Sequence, residues 1–409
     1  MNQTLLEKYA DLLVMSGLHV KPGQLVVVRA PIEAYELVRL VTKKAFKQGA
    51  KDVVVKYNDE EVTHEHYLHA DPSCFESVPT YESAFYNETA KDGACYLSLI
   101  GEDPDLMKDV DPKRMSSYQA QLKNATQFYR NALDTMESQW CIAAVSTKKW
   151  AKKIYNTQDA KERLWEDIFK VSRVDEQDPN ENWEKHRLSF EHKVKILNDL
   201  KISSLHYTNA LGTDLTVELP EGYVFCGGGS YLKDGTYYFA NIPTEEIFSM
   251  PLKNGVNGKL FSSMPLSHHG ALVEDFWFTF KDGKVVDYDA KNGRDVLTSI
   301  LETDEGSKYL GEVALVPYGS PISLMNQQFF NTLIDENASC HFALGQSYNE
   351  CIEGGLEMDK DQLLEKGANQ SLSHVDFMVG TQDLSITALT HDGKEVPIFE
   401  QGRFSSLFD

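Results

Sequence analysis

Carboxylates and imidazoles recur in four short patches of the later part of the chain. These are NIPTEEIF (Asn241 to Phe248), YLGEVALVP (Tyr309 to Pro317), DENASCHFALGQSY (Asp335 to Tyr348) and SHVDFMVG (Ser373 to Gly380). They set Glu246, Glu312, Glu336, His341, His374 and Asp376 among apolar or tightly turned neighbours. A charged group in such surroundings needs a partner, because an isolated buried charge is expensive. A pair of divalent metal ions is one partner that would satisfy all of them.

Each patch also has a plainer reading. In the first, Pro243 fixes the turn, and the adjacent Glu245 and Glu246 face opposite ways if the stretch is extended. They could instead complement the dipole of a helix N-terminus. In the second, Glu312 follows Gly311 at the mouth of the strand ValAlaLeuVal, the kind of place where sites are built. An ordinary strand-end charge would look the same. In the third, Glu336 and His341 are five apart, which is not HExxH. A histidine beside Phe342 and Ala343 could be a satisfied core residue, and Tyr348 could offer a hydroxyl or simply pack. In the fourth, His374 and Asp376 share one strand face, with Val375 and Phe377 on the other. The alternative there is a simple His–Asp hydrogen bond.

Other clusters carry less. His64, Glu65, His66 and His69 form a histidine-rich run in a polar stretch between strands, and His268 and His269 before Gly270 could line a pocket. GlyGlyGlySer at 227 to 230 reads as a flexible turn with no lysine behind it. There is no GxSxG elbow, and Cys340 is too close to His341 to form a ready nucleophile–base pair.

The elements that must position these residues fall into two textures. Apolar residues at helical spacing (Leu5, Leu6, Tyr9, Leu12, Leu13) precede LVVVRA (Leu25 to Ala30), which reads as a strand buried on both faces. A helix from Pro31 to near Gly49 and a second buried strand, DVVVKY (Asp52 to Tyr57), complete a right-handed β-α-β unit. CYLSLIG (Cys95 to Gly101), a helix over Tyr118 to Met136, and WCIAAVS (Trp140 to Ser146) continue the series. No GxGxxG or GxxxxGK[ST] follows any of these strands, which leaves a nucleotide-dependent transferase without its phosphate loop. Residues 159 to 194 are charge-rich and helical, with the polar break at 174 to 180 as the expected hinge. After Ile202 the texture turns to β, with a hairpin about Gly212 and Asp-Gly turns at 282–283 and 392–393. The expected fold is an α/β N-terminal domain with an open, largely parallel sheet, plus an α+β C-terminal metal-binding domain. The boundaries are 1–180, with bridging helices to about 200, and 201–409.

With 409 residues, 42% of them hydrophobic and 25% charged, the chain can bury a large core. A net charge of −22 repels phosphates and anionic lipid, which argues against nucleic acid and membrane as partners. The N-terminus has no signal-peptide pattern, and no apolar run is long enough to span a bilayer. The six cysteines include no CxxC, as expected of free thiols in a cytoplasmic protein.

Taken in order, the motifs LLEKYADLLVMSGLHVKPGQ, GTDLTVEL, NIPTEEIF, YLGEVALVP, ENASCHFALGQSY and SHVDFMVG resemble the thermophilic-type metalloaminopeptidases, the bacterial aminopeptidase T and S group. The resemblance covers the whole length. It implies two divalent ions (zinc, cobalt or manganese) held by Glu246, Glu312, Glu336, His341, His374 and Asp376, with Glu312 bridging. Whether Glu245 or Glu246 is the ligand stays open, with the spacing favouring Glu246. The resemblance further implies hydrolysis of the N-terminal peptide bond of peptides by a metal-activated water. Tyr348 would stabilise the oxyanion, Glu245 would carry the proton, and the protein would be a homodimer. His268 and His269 stand where the family often has tyrosine. A non-catalytic metal-binding module on the same fold is the alternative.

Overall fold

The computed structural model describes residues 2–268 and 271–409, so His269 and Gly270, with their expected pocket, lie outside the described residues. The chain divides into two compact units, Met1–Lys185 with Gly229–Pro243, and His186–Gly228 with Thr244–Asp409. The division falls within a helix and not in the polar break at 174 to 180.

The first unit is an α/β layer structure. Its strands are β1 (Leu25–Pro31), β2 (Asp52–Asn58), β3 (Cys95–Ile100) and β4 (Trp140–Ala144), all pairing in parallel. β1 lies between β2 and β3, so the chain reverses its direction of progress between β1 and β3. The β-branched run Val26–Val28 is fully buried, as a strand covered on both faces must be, whereas β2, expected to be buried as well, lies at the edge of the sheet and is only half-buried. The helices are α1 (Gln3–Leu12), α2 (Tyr35–Lys47), α3 (Glu60–His69), α4 (Thr80–Lys91), α5 (Pro112–Ala125), α6 (Gln127–Asp134), α7 (Lys148–Tyr155), α8 (Ala160–Val171) and α9 (Pro179–Asp199), the last shared with the second unit. The single helix expected over 118 to 136 is two, because Thr126 leaves helical geometry and turns its hydroxyl back to the Leu122 carbonyl at 2.7 Å. The histidine-rich run between strands forms helix α3. His64 there pairs with Asp109 at 2.7 Å, and His66 packs on Phe75. One further strand, Asn241–Ile242, joins the sheet beside β4. It was not legible in the sequence, since two residues carry no periodicity.

The second unit is built from two antiparallel sheets. The larger includes Ile202–Thr208, Asp214–Glu218, Val256–Phe261, Ala271–Lys281, Lys284–Asn292, Ser385–Thr390 and Glu395–Glu400. The hairpin turns fall where expected, with Gly212 at φ 102°, Asp282 at 49° and Gly283 at 81°. The smaller sheet runs His374–Met378, His341–Gly345, Leu310–Leu315, Ile247–Ser249, Cys226–Gly227 in spatial order. Its back face carries Val313, Leu315, Phe342, Leu344, Val375 and Phe377 into one core with Tyr207, Phe276 and Phe278 of the larger sheet. The ring of Phe377 lies 5.3 Å from Phe278, and Phe342 lies 5.1 Å from Tyr207. Burying each such ring contributes about 1.5–3 kcal/mol, so the back face anchors the sheet and leaves its front face free for chemistry.

Candidate metal centre

The front face is a matter of register. Ala343 pairs with Glu312 on one side and Asp376 on the other, Gly345 pairs with His374, and Ala314 pairs with His341. Directly paired residues point to the same face. The charged side chains therefore rise from a floor of Ala314, Ala343 and Gly345, which are too small to crowd them. Glu312 stands inside its strand, which starts at Leu310, and not at the mouth where the sequence put it. Gly311 makes this possible: a Cβ there would lie 2.3 Å from the Gly345 carbonyl, and the ladder slips a register between Leu310 and Glu312.

Two groups of ligand-type atoms converge, Glu246–Glu312–His341 and Glu312–His374–Asp376, each with its atoms within 4.8 Å of one another. Glu312 belongs to both. One of its oxygens lies 3.0 Å from His374 Nε2 and the other 3.9 Å from His341 Nε2. Glu246 approaches His341 Nε2 at 3.2 Å and Asp376 approaches His374 Nε2 at 3.1 Å. Each imidazole has its Nδ1 against a backbone carbonyl, Ser339 at 3.2 Å for His341 and Gln346 at 2.8 Å for His374. A carbonyl can only accept, so both rings carry hydrogen on Nδ1 and present Nε2 to the carboxylates. Bare Nε2 facing carboxylate oxygen is tolerable only with a positive charge between them, a proton or a metal ion.

The electrostatics agree. Burial opposes charge on His341, but the Glu246 carboxylate and then Glu312 overcome it and raise the imidazole to about 10. In the same balance, burial is overcome at His374 by Asp376 and Glu312, which raise it to about 11. Desolvation pushes Glu312 up against the pull of His374. Desolvation, followed by the charges of Glu246 and Asp376, drives Glu336 well above the ordinary range. Among the described residues no lysine or arginine comes within ion-pair reach of Glu246, Glu312 or Asp376. This set of carboxylate oxygens and imidazole nitrogens, with its excess negative charge, fits borderline-hard divalent ions.

Not every expected residue joins the two groups. Glu336 sits in the short turn Glu336–Ala338, within electrostatic reach of Glu246, Asp376, His341 and Glu312 but outside both close groups. Glu245 is buried, and its carboxylate lies 3.7 Å from His186 Nε2, also outside both groups. The two glutamates thus divide as an extended chain requires, and the stretch is no helix N-terminus. The Tyr348 ring lies 4.8 Å from that of His374, tilted against it, and meets Phe248 edge-on at 5.8 Å. Desolvation and the neighbouring carboxylates Glu312 and Asp376 raise its phenol well above the usual value.

Three contributors carry no sequence signal strong enough to find them. Asn337, fully buried, accepts the Glu245 N–H at 2.6 Å and donates to the Leu333 carbonyl at 3.0 Å. It ties the turn bearing Glu246 to the turn bearing Glu336. Gly227 is not part of a simple turn but a strand residue, where a Cβ would lie 2.7 Å from the Glu246 carbonyl. Glu350 follows Tyr348 by two residues; desolvation and then the charges of Glu312 and Glu246 push its carboxyl up to about 7.

Residues 2–404 match the family described as thermophilic metalloprotease (M29). Aminopeptidase AmpS of Bacillus subtilis (strain 168) is 43% identical over 403 residues, 98% of each chain. Aminopeptidase 2 of Geobacillus stearothermophilus is also 43% identical over 403 residues, 98% of this chain and 97% of its own. The solved structure of wild-type AmpT from Thermus thermophilus matches at a TM-score of 0.91 with 35% identity, covering 98% of both chains. A family match over almost the full length, joined to relatives this similar and to a cluster built for divalent ions, identifies the chain as a member of the thermophilic metalloprotease (M29) family.

Proposed function

We propose that the chain removes N-terminal residues from peptides at a pair of divalent ions held by Glu246, Glu312, Glu336, His341, His374 and Asp376. The protein is a metalloaminopeptidase, in keeping with its family and with the names of its relatives. The observation that carries the two-ion reading is the sharing of Glu312 between two three-residue groups. When bound, such ions supply Lewis acidity and bring the acidity of a water close to neutrality. Glu246 and His341 would hold one ion, His374 and Asp376 the other, and Glu312 both, with Glu336 completing the set. Zinc, cobalt and manganese all suit these donors.

The remaining residues act on the substrate or on each other. The raised phenol of Tyr348 keeps its proton at neutral pH and can donate it to an oxyanion developing on the scissile carbonyl. Phe248 and His374 fix its ring. Glu245, buried beside His186, is better read as holding the Glu246 turn than as a proton carrier. We extend the family resemblance to a cytoplasmic homodimer. Six free cysteines suit a reducing compartment, and among the described residues no helix is long and apolar enough to cross a membrane.

The test combines elemental analysis with hydrolysis of an aminoacyl p-nitroanilide before and after chelation. Two ions per chain, and activity lost with the chelator and restored with metal, are expected. His374→Ala should stay folded and lose both metal and activity. Full activity in metal-depleted protein would end the proposal.

A further inference from the structure

A second polar cluster lies in the first unit, in the carboxyl-terminal half of its parallel sheet. Arg29 of β1 pairs in register with Lys56 of β2 and with Ser98 of β3. Paired residues face the same way, and neighbouring strands are about 5 Å apart. The sheet therefore sets two cations side by side on one face, flanked by a hydroxyl. Arg29 reaches Ser98 Oγ with Nη2 at 2.6 Å and Nε at 3.2 Å. Lys56 Nζ lies 3.4 Å from the Tyr86 hydroxyl. The rings of Phe85 and Tyr86 stand 4.8 and 4.6 Å from Nζ, and Arg29 lies 5.9 Å from the Tyr86 centroid.

The absence of a counter-charge needs a reason. The chain has 62 carboxylates against 40 lysines and arginines, so a cation finds an acidic partner easily. Among the described residues, neither Arg29 nor Lys56 has a carboxylate within ion-pair distance. Glu82, one turn before Tyr86 on α4, accepts from the Tyr118 hydroxyl at 2.6 Å instead. Two half-buried like charges held together by backbone register repel each other, and aromatic faces hold them without neutralising them. The location adds an independent reason. The order of strands reverses between β1 and β3, and open parallel sheets bind ligands toward the carboxyl ends of the strands at such a reversal.

We infer that Arg29, Lys56 and Ser98 form a binding site for a dianionic oxyanion, the phosphate group of a small ligand. Arg29 keeps guanidinium N–H groups beyond those given to Ser98 and presents a fork suited to two oxygens; Lys56 adds a point charge, and the Ser98 and Tyr86 hydroxyls add neutral donors. The site is separate in sequence and in compact unit from the carboxylate cluster, and its chemistry is opposite in sign.

The test is calorimetric titration of the metal-loaded full-length protein with sulfate, inorganic phosphate and acetate. Saturable one-site binding of sulfate and phosphate is expected, with acetate at least tenfold weaker. Arg29→Met and Lys56→Met should each weaken sulfate binding by roughly ten- to a hundredfold, the scale of a lost charge-assisted hydrogen bond. Metal content and peptide hydrolysis should not change. Ser98→Ala, a milder change, should weaken binding severalfold and covers the case in which a charge variant fails to fold. Absent saturable binding, undiminished binding in the folded variants, or acetate binding as tightly as sulfate would each overturn the assignment.

Discussion

Two neighbouring residues of the His341 strand should respond to mutation in opposite ways. Ala343 is fully buried on the front face between Glu312 and Asp376, and Leu344 is 1% exposed on the back face within the core. Ala343→Leu adds three carbons on the face that Ala343 shares with its ladder partners Glu312 and Asp376. Overpacking of this kind costs about 1–3 kcal/mol. Glu312 and Asp376 would absorb it by tilting outward, so the strain should appear as metal affinity lowered by roughly ten- to a hundredfold. Leu344→Ala leaves the ligands alone and opens a cavity, at a cost of about 2–5 kcal/mol. That corresponds to a melting temperature lower by roughly 4–20 °C. The assay pairs metal content after dialysis against a weak chelator with thermal melts of the metal-free protein. Ala343→Leu should fail the first and pass the second, and Leu344→Ala the reverse. If Ala343→Leu keeps its full metal and activity, the register of the front face does not set the ligand spacing, and the argument for the site is wrong.

Three further outcomes are expected. Tyr348→Phe should lower kcat by about 10²–10³ with KM and metal content little changed, as for loss of an oxyanion donor; unchanged kcat would return Tyr348 to a packing role. Gly227→Ala places a methyl 2.7 Å from the Glu246 carbonyl and 2.9 Å from Ile247 Cα. It should reduce metal content more than it reduces the melting temperature. Desolvation pushes the Asp167 carboxyl, which accepts from the Tyr155 hydroxyl, up to about 6. The folded state thus holds this proton more tightly than the unfolded chain, and its stabilising contribution, full at low pH, is lost as pH rises from about 4 to about 6. Asp167→Asn should flatten that part of the stability curve measured by urea midpoints.

The sequence reads most clearly where its pattern is long. β1 and β2 announce themselves as β-branched runs, and the two-residue period places His374 and Asp376 on one face. The alternation that puts Phe377 and Val375 behind them is the same signal seen from the core. Legibility fails where structure is short or non-local. The two-residue strands at Cys226 and Asn241 have no period to detect. The bulge at Gly311, which draws Glu312 inside its strand, depends on the Gly345 backbone 34 positions away in the chain. Asn337 looks like any turn asparagine until its partner, the Glu245 amide, is folded against it.

The bond from each histidine Nδ1 to a main-chain carbonyl has one more implication. Those bonds run to the protein's own main chain, and the floor of alanine and glycine beneath the ligands is likewise fixed by strand register. The orientation of both imidazoles and the floor beneath them are therefore set by contacts within the chain. Mixed oxygen and nitrogen donors rank neighbouring first-row divalent ions mainly by the ions' intrinsic affinities. Under the two-ion reading, the ion held there would depend on the supply around the protein as well as on its donors.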